Sequence, residues 1–144
     1  MSEENKALVR RAFDAVAKGD LAGTDEITAP DFVRRDLTSA FEEIRGVQAV
    51  KQFIVALRSA FPDLQLAVED MIAEGDKVAV RFTARDTHRG EFLGIPPTGK
   101  QVAWAGINIY RVASGKIAET WQLSDGLGLM QQLGVVPPIG QARG

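Results

Sequence analysis

The chain has 144 residues, 45% of them hydrophobic and 25% charged, with a formal net charge of −2. That is the length of one domain with an ordinary aqueous composition, and no basic excess marks a nucleic-acid partner. Cysteine is absent and His88 is the single histidine, which excludes disulfides, thiolate catalysis and metal sites built from several histidines or cysteines.

In chain order, MSEENKALVRR has no apolar core, and no later run nears the ~18 apolar residues of a membrane span. The expectation is a soluble, cytoplasmic protein with no membrane partner. Leu8, Val9, Ala12, Phe13 and Val16 form one helical stripe, closed by Gly19. The basic pairs Arg10–Arg11 and Arg34–Arg35 read as solvated faces. A short helix over Leu21–Ala29 stops before Pro30, and Phe32–Thr38 reads as a strand. Val47, Val50, Phe53, Ile54, Leu57 and Phe61 restore helical spacing until Pro62. The period then changes. Leu64–Ala73 is strand-like, Glu74–Gly75–Asp76 is a turn, and Val78, Val80, Phe82 and Ala84 alternate with polar neighbours. After the Gly/Pro-punctuated crossing Gly90–Lys100, Val102–Val112 and Ile117–Ser124 form a hairpin around Ser114–Gly115. A helix from Gly126 to Leu133 and an irregular tail, GVVPPIGQARG, follow. Helices first and a meander of strands after them define an α+β fold: a curved antiparallel sheet with helices on one face.

A two-residue turn at Ser114–Gly115 sets a register in which Tyr110 faces Glu119, Asn108 faces Trp121, Gly106 faces Leu123 and Trp104 faces Asp125. Alternation then gathers all eight on one sheet face, and a single bulge would undo it. Both faces carry apolar residues, and the helices cover one. The other is expected to meet a second copy in a homodimer.

Asp125 beside indole surface would lose hydration and suit proton transfer, or it caps the helix beginning at Gly126. Glu119 opposite Tyr110 could act as base with an oxyanion donor, or make a structural hydrogen bond. His88 could be a general acid or base, or a hydrogen-bonded strand end. Trp104 and Trp121 share their face with polar groups, which favours a pocket wall over core. No dinucleotide pattern or phosphate-binding loop is present, Gly99–Lys100 being followed by Gln101.

Thr87–His88, GEFLGIPPTGK, YRVASGKIAETW and Asp125 resemble the SnoaL-like polyketide cyclases, also called ester cyclases. The resemblance extends to LVRRAFDAVAKGDL, Asp31–Phe32, AFPDL and QQLG, nearly the whole chain. It implies a cone-shaped, nuclear-transport-factor-2-like fold: a curved sheet around helices with an internal pocket. It implies intramolecular aldol condensation on a small hydrophobic carbonyl compound, with no metal or cofactor. By position, Asp125, His88 and Glu119 match the family's aspartate after tryptophan, its histidine before the crossing and its acidic GKIxE position. Asn108 and Tyr110 would hold enolate oxygen, with Trp104, Trp121, Phe53 and Leu57 as the substrate-binding wall. The chain departs from the family in placing Arg35 where many relatives have histidine, and Asn108 but no histidine on the penultimate strand.

Two other functional classes fit. One is an isomerase or an epoxide hydrolase of the same fold. The latter needs an Asp–Arg–Asp set in the cavity, and Arg81 and Arg85 do not share a face with Asp125. The other is a non-catalytic module that binds a small apolar ligand.

Overall fold

A computed structural model describes residues 2–38, 42–137 and 140. Helix α1 (Ser2–Lys18) turns its apolar stripe inward and buries Val9, Phe13 and Ala15. Gly19 ends it in the left-handed region, φ 69°, where a side chain would be strained. Asp20 then caps α2 (Leu21–Ile27) by accepting from the Gly23 amide at 2.9 Å. Strand β1 (Thr28–Asp36) begins earlier than expected and runs through Pro30. The short strand β2 (Ile44–Arg45) was not legible in the sequence. Helix α3 (Val47–Ala60) stops at Phe61, just before Pro62.

Strands β3 (Gln65–Glu74), β4 (Lys77–Thr87), β5 (Gln101–Ala113) and β6 (Lys116–Ser124) follow, then α4 (Gly126–Gln132). The six strands form one sheet in the order β2-β1-β6-β5-β4-β3. It is mixed, not purely antiparallel: β1 runs parallel to β6. The connection between those two strands crosses most of the chain, so hairpin logic could not supply the pairing. The expected irregular tail includes residues 138, 139 and 141–144, which lie outside the described residues. No described helix is long and apolar enough to cross a membrane.

Two apolar clusters hold the layers together. Val9 and Phe13 pack with Val78, Val80, Phe82 and Tyr110, fixing α1 on the sheet. Phe13 meets the rings of Phe82 and Tyr110 edge-on at 5.3 and 6.0 Å. The second cluster joins Phe61 to Val102, Leu129 and Leu133, with Phe92 and Trp104 against it. Phe61 thereby ties α3, the crossing and α4 to one end of the sheet.

The crossing is seated on α3. The amides of Arg89 and Gly90 both donate to the Ala60 carbonyl, at 3.0 and 3.1 Å. A Cβ on Gly90 would collide with the Ser59 carbonyl oxygen, and its carbon would stand only 2.9 Å away. Backbone cannot yield as a flexible side chain can. Gly90→Ala is therefore expected to lower stability by about 1–3 kcal/mol in urea denaturation. An unchanged midpoint would show that the crossing is not held against α3.

Candidate active site

The curved sheet and the helices enclose a cavity of about 650 Å³, within the size range that small-molecule sites occupy. Phe13 and Val16 of α1, Val50, Phe53, Ile54 and Leu57 of α3, and Leu127 and Met130 of α4 make it mainly apolar. The crossing contributes Phe92 and Leu93. Leu93 takes φ 51°, unusual for a branched residue, in a turn closed by reciprocal backbone hydrogen bonds between Phe92 and Ile95.

The polar wall is set by a β-bulge. Ala113 pairs with Lys116 and Val112 with Ile117, as the hairpin turn dictates. The next pair is Arg111 with Glu119, so Ala118 is the extra residue. Beyond it every β6 side chain changes face relative to the unbulged register. Thr120 now lies opposite Tyr110, Gln122 opposite Asn108 and Ser124 opposite Gly106, all lining the cavity. The parallel β1–β6 pairing extends two of these rows, placing Arg34 beside Thr120 and Asp36 beside Gln122. Two polar rows result: Arg34–Thr120–Tyr110 and Asp36–Gln122–Asn108.

Glu119 and Trp121, expected in the pocket, therefore face away from it. Glu119 Oε2 accepts from Arg35 Nε at 2.8 Å and Oε1 from Arg111 Nε at 3.1 Å, in an ion-pair cluster on the outer face. The Arg35 hydrogen bond, with help from Arg111, holds the Glu119 carboxyl below its usual range, which suits a structural anion and not a base. His88 also misses the cavity. It is fully buried, and its Nδ1 accepts from the Thr98 amide at 3.2 Å. Its backbone bonds Lys100 and Gly99, so it stitches the crossing to β4. The acid–base role expected of Glu119 and His88 has no geometric basis, nor has a wall role for Trp121.

Asp125, Trp104, Asn108, Tyr110, Phe53 and Leu57 do line the cavity. Asp125 fills both of its suggested roles. Its Oδ1 accepts from the Gly128 amide at 2.8 Å, capping α4, while Oδ2 has no hydrogen-bond partner among the described residues. The carboxylate is exposed at the rim, so its desolvation has to come from a bound substrate. Asn108 Nδ2 donates to the Tyr110 hydroxyl at 2.9 Å, and Asn108 Oδ1 is buried with no partner among the described residues.

Arg34, Asp36, Thr120, Gln122 and Ser124 were not singled out from the sequence. The Arg34–Arg35 pair straddles the sheet: Arg35 joins the outer cluster and Arg34 enters the cavity, where its guanidinium lies 4.6 Å from the Phe53 ring centroid. Burial pushes Arg34 below its usual pKa, opposed by Asp36 and Tyr110. Strand alternation across Phe32–Asp36 was the available signal. Among the described residues no group of three or more potential ligands could hold a metal.

A cone of helices and curved sheet around one cavity, with a carboxylate at its rim, defines a class of small-molecule protein. Residues 7–133 match the model of the SnoaL-like polyketide cyclases, and the chain belongs to that family. It is 27% identical over 129 residues to the aklanonic acid methyl ester cyclase DauD of Streptomyces sp. (strain C5), spanning 88% of this chain and 80% of that protein. Among solved structures it resembles AclR, a candidate hydroxylase of Streptomyces galilaeus, with TM-score 0.84 and 34% identity over 98% of this chain and 87% of that one. A candidate SnoaL-like cyclase from Jannaschia sp. CCS1 gives TM-score 0.86 and 27% identity over 96% of each chain.

Tyr110 is the only tyrosine, so alkaline absorbance titration at the phenolate band reports on it alone. Burial pushes its phenol up to about 12, with Asn108 and Arg34 pulling the other way. An unfolded tyrosine ionises near ~10. The folded chain is expected to titrate well above the urea-unfolded chain, with stability complete below that lower value and lost as pH rises through the higher one. Coincident titrations would show that Tyr110 is solvated.

Proposed function

We propose that this chain is a cofactor-independent ring-closing enzyme for a polyketide-like substrate, with Asp125 as the proton-transfer residue. The observation that supports this most is the half-used Asp125 carboxylate: one oxygen is committed to the α4 cap and the other is unpartnered, among the described residues, at the rim of an apolar cavity. The chain's relatives DauD and DnrD are aklanonic acid methyl ester cyclases, and ring closure is the reaction that name carries.

In the proposed cycle, Asp125 takes a proton from carbon flanked by carbonyl groups. The enolate carbon attacks a second carbonyl of the same molecule and forms the ring bond. The resulting alkoxide recovers the proton from the Asp125 carboxylic acid, so the reaction consumes nothing else. A carboxylate in bulk water is a weak base for this step; an apolar polycyclic substrate covering the rim removes that water. Ser124 and Gln122 are the cavity-facing polar side chains nearest along β6. Asn108 sits opposite Gln122 and Tyr110 opposite Thr120, both further along the cavity wall from Asp125 than Ser124. In this reading Asn108 and Tyr110 hold oxygens of the substrate from the cavity wall.

The epoxide-hydrolase alternative gains Arg34 and Asp36, which do line the cavity with Asp125. Asp36, however, accepts from the Thr38 amide at 2.9 Å and also from the Thr38 hydroxyl, and no Arg34–carboxylate ion pair forms among the described residues. The linked Asp–Arg–Asp set is not assembled.

The proposed homodimer is supported by the same bulge. It sends Trp121 and Leu123 outward to join Ile107, and Leu123 and Ile107 are 46% and 55% exposed. A homodimer through this sheet face would cover them. Replacing both Ile107 and Leu123 by Lys is expected to turn a dimer into a monomer in light scattering; a wild-type chain already monomeric at micromolar concentration would sink the idea.

Asp125→Asn keeps the helix cap, since Asn and Asp cap about equally well, and removes the base. Turnover of a confirmed cyclisation substrate should fall on the order of 10²-fold or more with melting temperature nearly unchanged. Retained turnover would show that Asp125 is not the proton-transfer residue, whereas ligand binding with no turnover by the wild-type chain would leave the binding-module reading in place.

A further inference from the structure

Besides Asp125, the charged side chains lining the cavity among the described residues are Arg34 and Asp36, and the Asp36 charge acts on Arg34, so the two offset one another. The polar groups that remain are neutral. Asn108 and Tyr110 line the cavity, each 8% exposed. Asn108 Nδ2 donates to the Tyr110 oxygen at 2.9 Å. That single bond leaves Asn108 Oδ1 without a donor and the Tyr110 O–H without an acceptor among the described residues. Gln122, opposite Asn108 and 6% exposed, lines the same wall, and its amide makes no hydrogen bond among those residues.

A half-turn of the Asn108 amide would not remove the mismatch. The Tyr110 hydroxyl would then donate to Oδ1, and the Nδ2 hydrogens and a lone pair on the phenol oxygen would be left over instead. In either orientation the pair keeps at least one donor and one acceptor unmatched. A hydroxyl group meets both, since it donates once and accepts through its lone pairs. A ketone or ester oxygen only accepts, so it leaves the acceptor of the pair unpaired in a buried place, where that is costly. An ether oxygen fails in the same way.

We infer that the Asn108–Tyr110 pair, with Gln122 beside it, is a subsite for a hydroxyl group on a neutral fused-ring substrate, phenolic or enolic. The cavity then selects hydroxylated ring systems over those whose oxygens are all carbonyls or ethers. The inference rests on the proposed role of the cavity as a small-molecule site and adds to it a substrate class. It also sets the substrate's orientation. Asn108 and Gln122 lie further along the wall from Asp125 than Ser124, so the ring bearing the hydroxyl points away from the rim. Asn108 and Tyr110 are then specificity residues that hold one end of the substrate while Asp125 acts at the other.

The test compares binding of 2-naphthol, 2-methoxynaphthalene and naphthalene by calorimetry at neutral pH, where a phenol of pKa ~10 stays protonated. The methyl ether keeps an acceptor and loses the donor, and naphthalene has neither. The wild-type chain should bind 2-naphthol on the order of tenfold or more tightly than either analogue, because a buried polar site rejects a ligand that leaves it unpaired. Asn108→Leu should erase the preference by weakening 2-naphthol alone. Tyr110→Phe, which keeps the ring, should reduce it. Retained naphthalene affinity in both variants would show that the cavity is intact. Equal wild-type affinities, or a preference undiminished in both variants, would overturn hydroxyl recognition while leaving the cavity a ligand site. Binding of none of the three compounds would overturn the ligand-site reading, and this inference with it.

Discussion

The extra residue at Ala118 decides what both faces of the sheet present. Without it, β6 would turn Glu119, Trp121 and Leu123 toward the helices; with it, Thr120, Gln122 and Ser124 take those positions. The bulge thus reverses the usual arrangement, in which a strand sends its apolar residues inward. The inside gains a wall of hydroxyls and an amide. The outside gains an indole and an isobutyl group beside Ile107 and Ile109. One residue of slip converts a two-layer core into a lined cavity and creates an apolar outer face.

Such a cavity costs stability. Each enclosed donor or acceptor without a partner forfeits on the order of 1–3 kcal/mol, against a typical domain total of about 5–15 kcal/mol. Asn108 Oδ1 is one such atom. The two aromatic clusters offset this from either side: Phe13 with Phe82 and Tyr110, and Phe61 with Phe92 and Trp104. Gly106 serves the same end. A Cβ there would stand 2.5 Å from the Phe82 ring, so its absence lets that ring close the sheet side of the core.

Much of the fold was legible because it rests on periodicity and punctuation. The stripe around Val9 and Phe13, the alternation of Val78, Val80 and Phe82, and the Ser114–Gly115 turn each follow from local sequence. The family resemblance and the cone fold followed from motifs on those elements, and they hold. The site was only half legible. The residues singled out on β5, α3 and the α4 cap do line the cavity, since their faces depend on local pattern. Those on β6 face outward, because the bulge falls between Ile117 and Glu119 and the apolar, buried pair Ile117–Ala118 does not announce it. Arg34 and Asp36 were missed because their place depends on a parallel pairing between segments more than eighty residues apart. The GEFLGIPPTGK crossing carries Phe92 and Leu93 to the cavity, which its glycine and proline punctuation did not announce.

Inner and outer faces are therefore not independent. Arg35, Glu119 and Arg111 lock β1, β6 and β5 together on the outside. Their immediate neighbours Arg34, Thr120 and Tyr110 form the row inside. Alternation makes each outer residue the positioning device of the inner one beside it. The outer ion pairs and the inner polar row are thus fixed by the same three adjacent strands.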